Sequence, residues 1–387
     1  MRSIRPLLAA TGIAAALALT ATACGPGEDK AADKPASSST AADTGGDALP
    51  ADLADKLKEH GVDLDKWKNG EWKNWEKDKW LREAKDFVNP VIEGLWKPQR
   101  MKEAKDPSKT LATKDAPVDS GTDPEPRPVK AQAEKLPYHD YAAPVGKVFF
   151  DSPEGTMVCS GTVVKDPRNP GKSNLVWTAG HCVHAGMKGG WYRNITFVPS
   201  YNDKGKSEAE LANARPEEIA PYGMFWADWV STSNEWISAG GPTGAGGAPY
   251  DYAVLHVKPE HGTKSLEQTV GNALSVDFSA PAASSVDAMG AWGYPAAPPY
   301  NGLLMHKCID RPGRLTVVAG TPAMYRIGCT MTGGSSGGGW FRVLGKKTVL
   351  VSNTSIGPVT NGWLAGPQLG AGAEQLYNVM SEKYGDK

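Results

Sequence analysis

From Tyr138 onward, apolar and polar positions alternate in short runs: VGKVFF (145–150), MVCSGTVV (157–164), NLVWTAG (174–180), NITFVPSY (194–201), DYAVLHV (251–257), DAMGAWGY (287–294), GRLTVVAG (313–320) and TVLVSNTSI (348–356). They are rich in β-branched residues and bounded by Gly, Pro, Asn and Asp, so they predict strands separated by turns, in an antiparallel sandwich or barrel. The final residues EQLYNVMSEKYGDK set Leu376, Val379 and Met380 at helical spacing and predict a terminal helix. No internal repeat of 20–50 residues is present.

Upstream the texture differs. Between 51 and 110, 27 of 60 residues are charged, against 22% of the whole chain, and Trp67, Trp72, Trp75, Trp80 and Trp96 are interleaved. Trp80, Ala84, Phe87 and Val91 fall at i, i+4, i+7 and i+11, one face of a helix that Asn89-Pro90 ends or kinks. Residues 51–105 therefore read as a separate module of short helices, open to three roles: a spacer, a pro-segment over the downstream domain, or a cell-wall or partner-binding element. Residues 24–50 are small and polar and read as a tether; residues 106–136, rich in Pro and charge, read as a linker open to proteolytic processing. The domain proper is expected at 137–387.

At the N-terminus, Arg2 and Arg5 precede an apolar run over 7–19 and then Ala21-Thr22-Ala23-Cys24. These are the parts of a secretory signal peptide over 1–23. A cysteine directly after the cut also resembles a bacterial lipobox, which would acylate Cys24 and tether the chain to the outer face of the membrane; plain secretion is the alternative. The lipobox more often has Leu where Ala21 stands. Beyond this segment no apolar run reaches the ~18 residues of a spanning helix.

Composition narrows the classes. A balance of 42 Lys+Arg against 43 Asp+Glu gives a net charge of -1, without the basic footprint of a nucleic-acid binder. Gly 44 and Pro 30 suit a turn-rich β protein. Apart from Cys24, the cysteines are Cys159, Cys182, Cys308 and Cys329, an even set that can pair fully outside the cell. Three pairings are possible; the local one, Cys159–Cys182 with Cys308–Cys329, is preferred, each loop worth about 3 kcal/mol.

Three segments carry candidate chemistry. VWTAGHCVH leaves His181 at the end of an apolar run, and imidazole titrates where a hydroxyl needs its base. In PYDYAVLHV, Asp251 precedes a strand and offers a carboxylate to orient an imidazole; Asp228, in WADWV, competes for that role. In CTMTGGSSGGGW, glycines surround Ser336, so the backbone can turn tightly and the N–H groups of Gly334 and Ser336 can converge on one oxyanion. Singly, each segment is an ordinary structural histidine, turn aspartate or flexible loop. His181 and His184 with a metal is a further possibility, without a nearby acidic ligand.

Together, TAGHC, DYAVL and GSSGGG resemble the histidine, aspartate and serine motifs of the chymotrypsin-like (trypsin-fold) serine proteases, in that family's order. With VCSGTVV and WGYP they look most like secreted actinobacterial trypsin-like peptidases of the glutamyl-endopeptidase (V8-like) branch. The resemblance implies an all-β fold of two antiparallel Greek-key six-stranded β-barrels with a C-terminal helix, preceded here by the small helical N-terminal segment. It implies an exported serine endopeptidase with Ser336 as nucleophile, His181 as general base, Asp251 orienting it, and Gly334 and Ser336 as oxyanion hole. It also implies the Cys159–Cys182 disulfide, and places Thr330 at the base and Ser352 on the wall of the substrate pocket. Protein or peptide substrates, no cofactor, no nucleic acid and a monomer are expected. The alternative is a surface lipoprotein using the fold as a non-catalytic binding module.

The chain departs from that family's pattern in five places. Ser335 replaces the aspartate that receives a new N-terminal ammonium on activation, and Gly339 replaces a proline. The 70 residues from His181 to Asp251 include the Gly-rich SAGGPTGAGGAPY. Glutamate-preferring relatives place a histidine before the pocket-wall serine, where Val351 precedes Ser352; with Thr330 in place of an aspartate, a small or apolar side chain is the expected preference.

Overall fold

Residues 64–73, 86–87, 91–107, 110–111 and 121–384 are described by the computed structural model. The expected leader 1–23, Cys24 and the tether 24–50 lie outside them. Short strands β1 (Asp86–Phe87), β2 (Thr110–Leu111) and β3 (Gln132–Ala133) precede the main body. There β4 (Val145–Ser152), β5 (Gly155–Val164), β6 (Leu175–Thr178), β7 (Arg193–Pro199), β8 (Phe225–Thr232) and β9 (Ala253–Pro259) lie in the order β7-β4-β5-β6-β9, and β8 pairs with both β7 and β9 to close the ring. The 7-4-5-6 arrangement is a Greek key. Every residue of β4, β6, β7 and β8 is buried, because one face fills the barrel while the other is covered by neighbouring elements. Double burial also explains why FWADWVST, which becomes β8, lacks a strand's polar alternation.

The second barrel follows. Strands β11 (Met289–Gly293), β12 (His306–Asp310), β15 (Gly339–Leu344) and β16 (Lys347–Asn353) form one antiparallel set, flanked by β10 (Ser275–Val276) and by β3. Strands β13 (Gly313–Leu315), β14 (Met324–Gly328) and β18 (Trp363–Gly366) form another. Met289, Ala291, Tyr325, Ile327 and Trp340 from both sets share one core. The disulfides are Cys159–Cys182 and Cys308–Cys329; the second ties β12 to the end of β14, one set to the other. The terminal helix spans Ala371–Tyr384 and buries Ala373, Tyr377, Met380 and Ser381, one face at helical spacing, while Val379 points to solvent.

The Trp-rich module does not stand alone. Trp67, Trp72 and Trp96 are buried. Arg193 of β7 stacks over Trp67 at 4.7 Å and donates to the Trp72 carbonyl. The Arg100 guanidinium lies 4.4 Å from the Trp96 ring and 2.6 Å from Asp151 Oδ1, while Trp96 Nε1 donates to the Asn194 carbonyl at 2.9 Å. A planar guanidinium can stack and pair at once, which suits it to this half-buried seam. Phe87, assigned above to a helical face, is instead extended: β1 pairs antiparallel with β8, Phe87 opposite Val230. Trp80 and Ala84 lie outside the described residues. The linker expected over 106–136 is structured from 121 onward, with Asp123 bound to Arg314 at 2.8 Å and β3 paired to β12.

Between the barrels, Lys147 of β4 is buried, donating to the Gly302 carbonyl at 2.8 Å and lying 4.4 Å from the Tyr201 ring. Burial holds its pKa down to about 7. The unfolded chain, with an ordinary lysine pKa, therefore binds more protons than the folded one from about pH 7 to 10, and stability rises with pH across that window. Buried Tyr201 and Tyr294 have raised pKa values and reverse the trend only above about pH 10. The thermal midpoint is expected to climb between pH 7 and 9, and Lys147→Met to flatten that climb; a wild-type midpoint that falls across this range contradicts the assignment.

Candidate active site

His181 and Asp251 meet because β6 and β9 are antiparallel neighbours, Thr178 opposite Ala253. The chain leaves β6 into the turn Gly180–Cys182, which carries His181, and enters β9 just after Asp251. Both side chains are fully buried. Asp251 Oδ1 accepts from the His181 backbone N–H at 2.7 Å, and Oδ2 lies 2.7 Å from Nδ1. The carboxylate so placed favours the tautomer with hydrogen on Nδ1, leaving Nε2 as the acceptor. Nε2 is buried and has no hydrogen-bond partner among the described residues. The long interval from His181 to Asp251 is taken up by β7, β8 and short helices at Glu208–Leu211, Pro216–Ile219 and Asn234–Ala239. Trp236, from the last of these, packs 6.0 Å from the imidazole.

Asp228 sits elsewhere. It pairs with His256 Nδ1 at 2.5 Å, across β8 and β9, and with Lys258 at 3.2 Å.

Ser336 arrives from the second barrel on the loop before β15. Gly334 and Gly337 have φ of +92° and +75°, which glycine alone adopts without strain. A Cβ on Gly337 would also stand 2.1 Å from Thr178 Oγ1 and 2.9 Å from the Ala179 nitrogen. The Ser336-Gly337 backbone thus lies directly on the segment leading into His181. Within the described residues no hydrogen bond uses the N–H of Gly334 or of Ser336.

Two serines that the motifs did not single out complete the arrangement. Ser355 Oγ donates to Asp251 Oδ2 at 2.5 Å, and Asn353 Nδ2 donates to the Asp251 carbonyl at 2.9 Å. Ser160, on β5, clamps the serine loop: its N–H donates to the Ser336 carbonyl at 2.7 Å, its Oγ donates to the Gly334 carbonyl at 2.9 Å, and the same Oγ accepts from the Tyr294 N–H at 2.9 Å. Ser160→Ala leaves a buried carbonyl and a buried N–H without their partner. If the N–H groups of Gly334 and Ser336 hold an oxyanion, kcat is expected to fall about 10- to 100-fold with little change in KM, and initial rates on a peptide substrate separate the two constants.

Beside Ser336 is a narrow cleft of about 30 Å³, walled by Met331, Ile356, Gly357, Trp363 and Leu364, with no charged side chain among its described lining residues. Neither Thr330 nor Ser352 lines it. Thr330 Oγ1 accepts from the Ala131 N–H at 2.9 Å and meets Tyr300 at 3.2 Å. Ser352 lies within β16, and its hydroxyl turns away to the Pro367 carbonyl at 2.6 Å. The serine that lines it on that side is Ser355, three residues on. Its signal in the sequence is its place after β16, two residues before the glycine of the next edge. Ser335, where an aspartate was expected, donates from Oγ to the Thr332 carbonyl at 2.7 Å and closes the loop on itself. Among the described residues, the His, Cys, Asp or Glu side chains close enough to share a metal are Cys159, His181 and Cys182, whose two sulfurs are bonded to each other.

No family model and no curated protein matches the chain. Solved structures do. It is similar to a thermostable serine protease, AL20, from an extremophilic microorganism, with 33% identity, 63% of this chain and 99% of that one covered, and a TM-score of 0.50. It is also similar to the protease Anisep from Arthrobacter nicotinovorans, with 29% identity, 65% and 99% covered, and a TM-score of 0.51.

Proposed function

Because the chain belongs to the chymotrypsin-like family of serine proteases, we propose that it is an exported endopeptidase working through an acyl-enzyme on Ser336. The Ser336 hydroxyl attacks a peptide carbonyl while His181 Nε2 takes its proton, and the N–H groups of Gly334 and Ser336 receive the developing oxyanion. His181 returns the proton to the leaving amine, and water, activated the same way, releases the acid. Asp251 keeps Nδ1 protonated and stabilises the imidazolium.

The observation that carries the reading is His181 itself: Nδ1 engaged by a buried carboxylate, Nε2 without a partner, and the serine loop packed on the adjoining residues. The uncharged, roughly water-sized cleft favours a small residue before the scissile bond. With Ser355 as the wall serine, Thr354 and not a histidine precedes it, which speaks against a glutamate preference. Export rests on the signal-like N-terminus and the two disulfides, and membrane tethering on acylation of Cys24. Fluorophosphonate labelling with intact-mass readout, Ser336→Ala as control, tests the mechanism: one adduct lost in the variant supports it, and an unlabelled wild type refutes it.

A further inference from the structure

The cleft wall at Gly357–Pro358 is itself a strand, β17, and it is already paired. Strand β2, from far upstream, lies parallel to it with Thr110 opposite Gly357 and Leu111 opposite Pro358. The edge has few other backbone donors to offer a second chain. The N–H groups of Ser355 and Ile356 both donate to the Ala365 carbonyl, at 2.9 and 3.2 Å, and Pro358 has none. Gly357 is left as the edge's remaining backbone donor, and it is the residue that faces Thr110.

The strap is held from behind. Lys105 bridges β5: its N–H donates to the Thr156 carbonyl at 3.0 Å and its carbonyl accepts from the Val158 N–H at 2.8 Å. One turn earlier, Arg100 is fixed by Asp151 and Trp96. Thr110 follows Lys105 by five positions, a span of at most about 18 Å. Lys105 on the first barrel and Thr110 on the second are therefore joined by a short length of chain, and a short tie keeps β2 at high effective concentration beside the edge.

We propose that β2 (Thr110–Leu111), tethered through Lys105, is an intramolecular occupant of the cleft-wall edge, competing with any extended peptide that would add its backbone to Gly357 beside Ser336. The proposal rests on the reading of Ser336 as nucleophile. A small fluorophosphonate needs only the triad, whereas an extended peptide needs the edge as well, so the two probes separate the claims.

The test uses the full chain and a Thr110→Pro, Leu111→Pro double variant, since proline cannot donate to a strand partner. A second variant inserts twelve Gly/Ser residues between Pro107 and Ser108 to dilute the strap. Each is assayed for fluorophosphonate labelling rate and for kcat/KM on an octapeptide with a small central residue. We expect kcat/KM to rise about tenfold in the double variant, mainly through KM, and to rise in the insertion variant, with labelling rates within threefold of the parent. Unchanged kcat/KM in labelling-competent variants overturns the proposal. Absence of labelling in every form overturns the nucleophile, and the strap's role with it. If only the proline variant fails to label, the insertion variant decides.

Discussion

Ser336→Ala is expected to abolish fluorophosphonate labelling and to lower peptide hydrolysis by about a million-fold, with His181→Ala nearly as severe and the double variant no worse than either. The non-additivity follows from the roles. A hydroxyl without its base is a poor nucleophile, and a base without its hydroxyl has no proton to take. Both substitutions are buried beside the Cys159–Cys182 disulfide, so the variants should keep the parental fold by circular dichroism. A Ser336→Ala protein that hydrolyses peptide at the parental rate would sink the mechanism.

The second large effect distinguishes two aspartates. Asp251→Asn is expected to lower kcat about 10⁴-fold, because an amide donor facing Nδ1 favours the wrong imidazole tautomer. Asp251 also holds the His181 backbone N–H and the Ser355 hydroxyl, so the loss should not be repaired by raising the pH. Asp228→Asn, which touches His256 and Lys258 instead, should leave kcat/KM within about threefold, the usual scale for a group outside the chemistry, and act on stability alone. Measuring both variants on one substrate decides the assignment, and a collapse in Asp228→Asn with a mild Asp251→Asn would reverse it.

How legible each part was depends on how far its contacts reach along the chain. The strand runs around 145–164 and 174–180, and the loops bearing His181, Asp251 and Ser336, announce themselves locally, through β-branched runs, glycines and small residues. Ser160 gives no such notice. Its partners Tyr294 and Gly334 lie 134 and 174 residues away, so nothing in VCSGTVV marks it. Ser355 likewise reaches Asp251 across 104 residues, and LVSNTSIG offers two serines with only the fold to choose between them. Phe87 fitted a helical face by spacing, yet pairing with β8 overrode that local pattern. The tryptophans of the upstream module were visible as a cluster; that Trp67 and Trp96 pack against the first barrel, on Arg193 and Asn194, was a matter of three-dimensional contact.

Cys182 adjoins His181 and Cys159 adjoins the clamp residue Ser160, so a single covalent bond fastens the two pieces of first-barrel backbone on which the serine loop rests. Where thiols stay reduced, that fastening is missing, and the turn bearing His181 is held to β5 by the β5–β6 ladder and by the Thr178 hydroxyl on the Ser160 carbonyl. The stability of this corner is therefore tied to redox compartment: the disulfide closes a loop of 23 residues, and reductants would remove its contribution of about 3 kcal/mol.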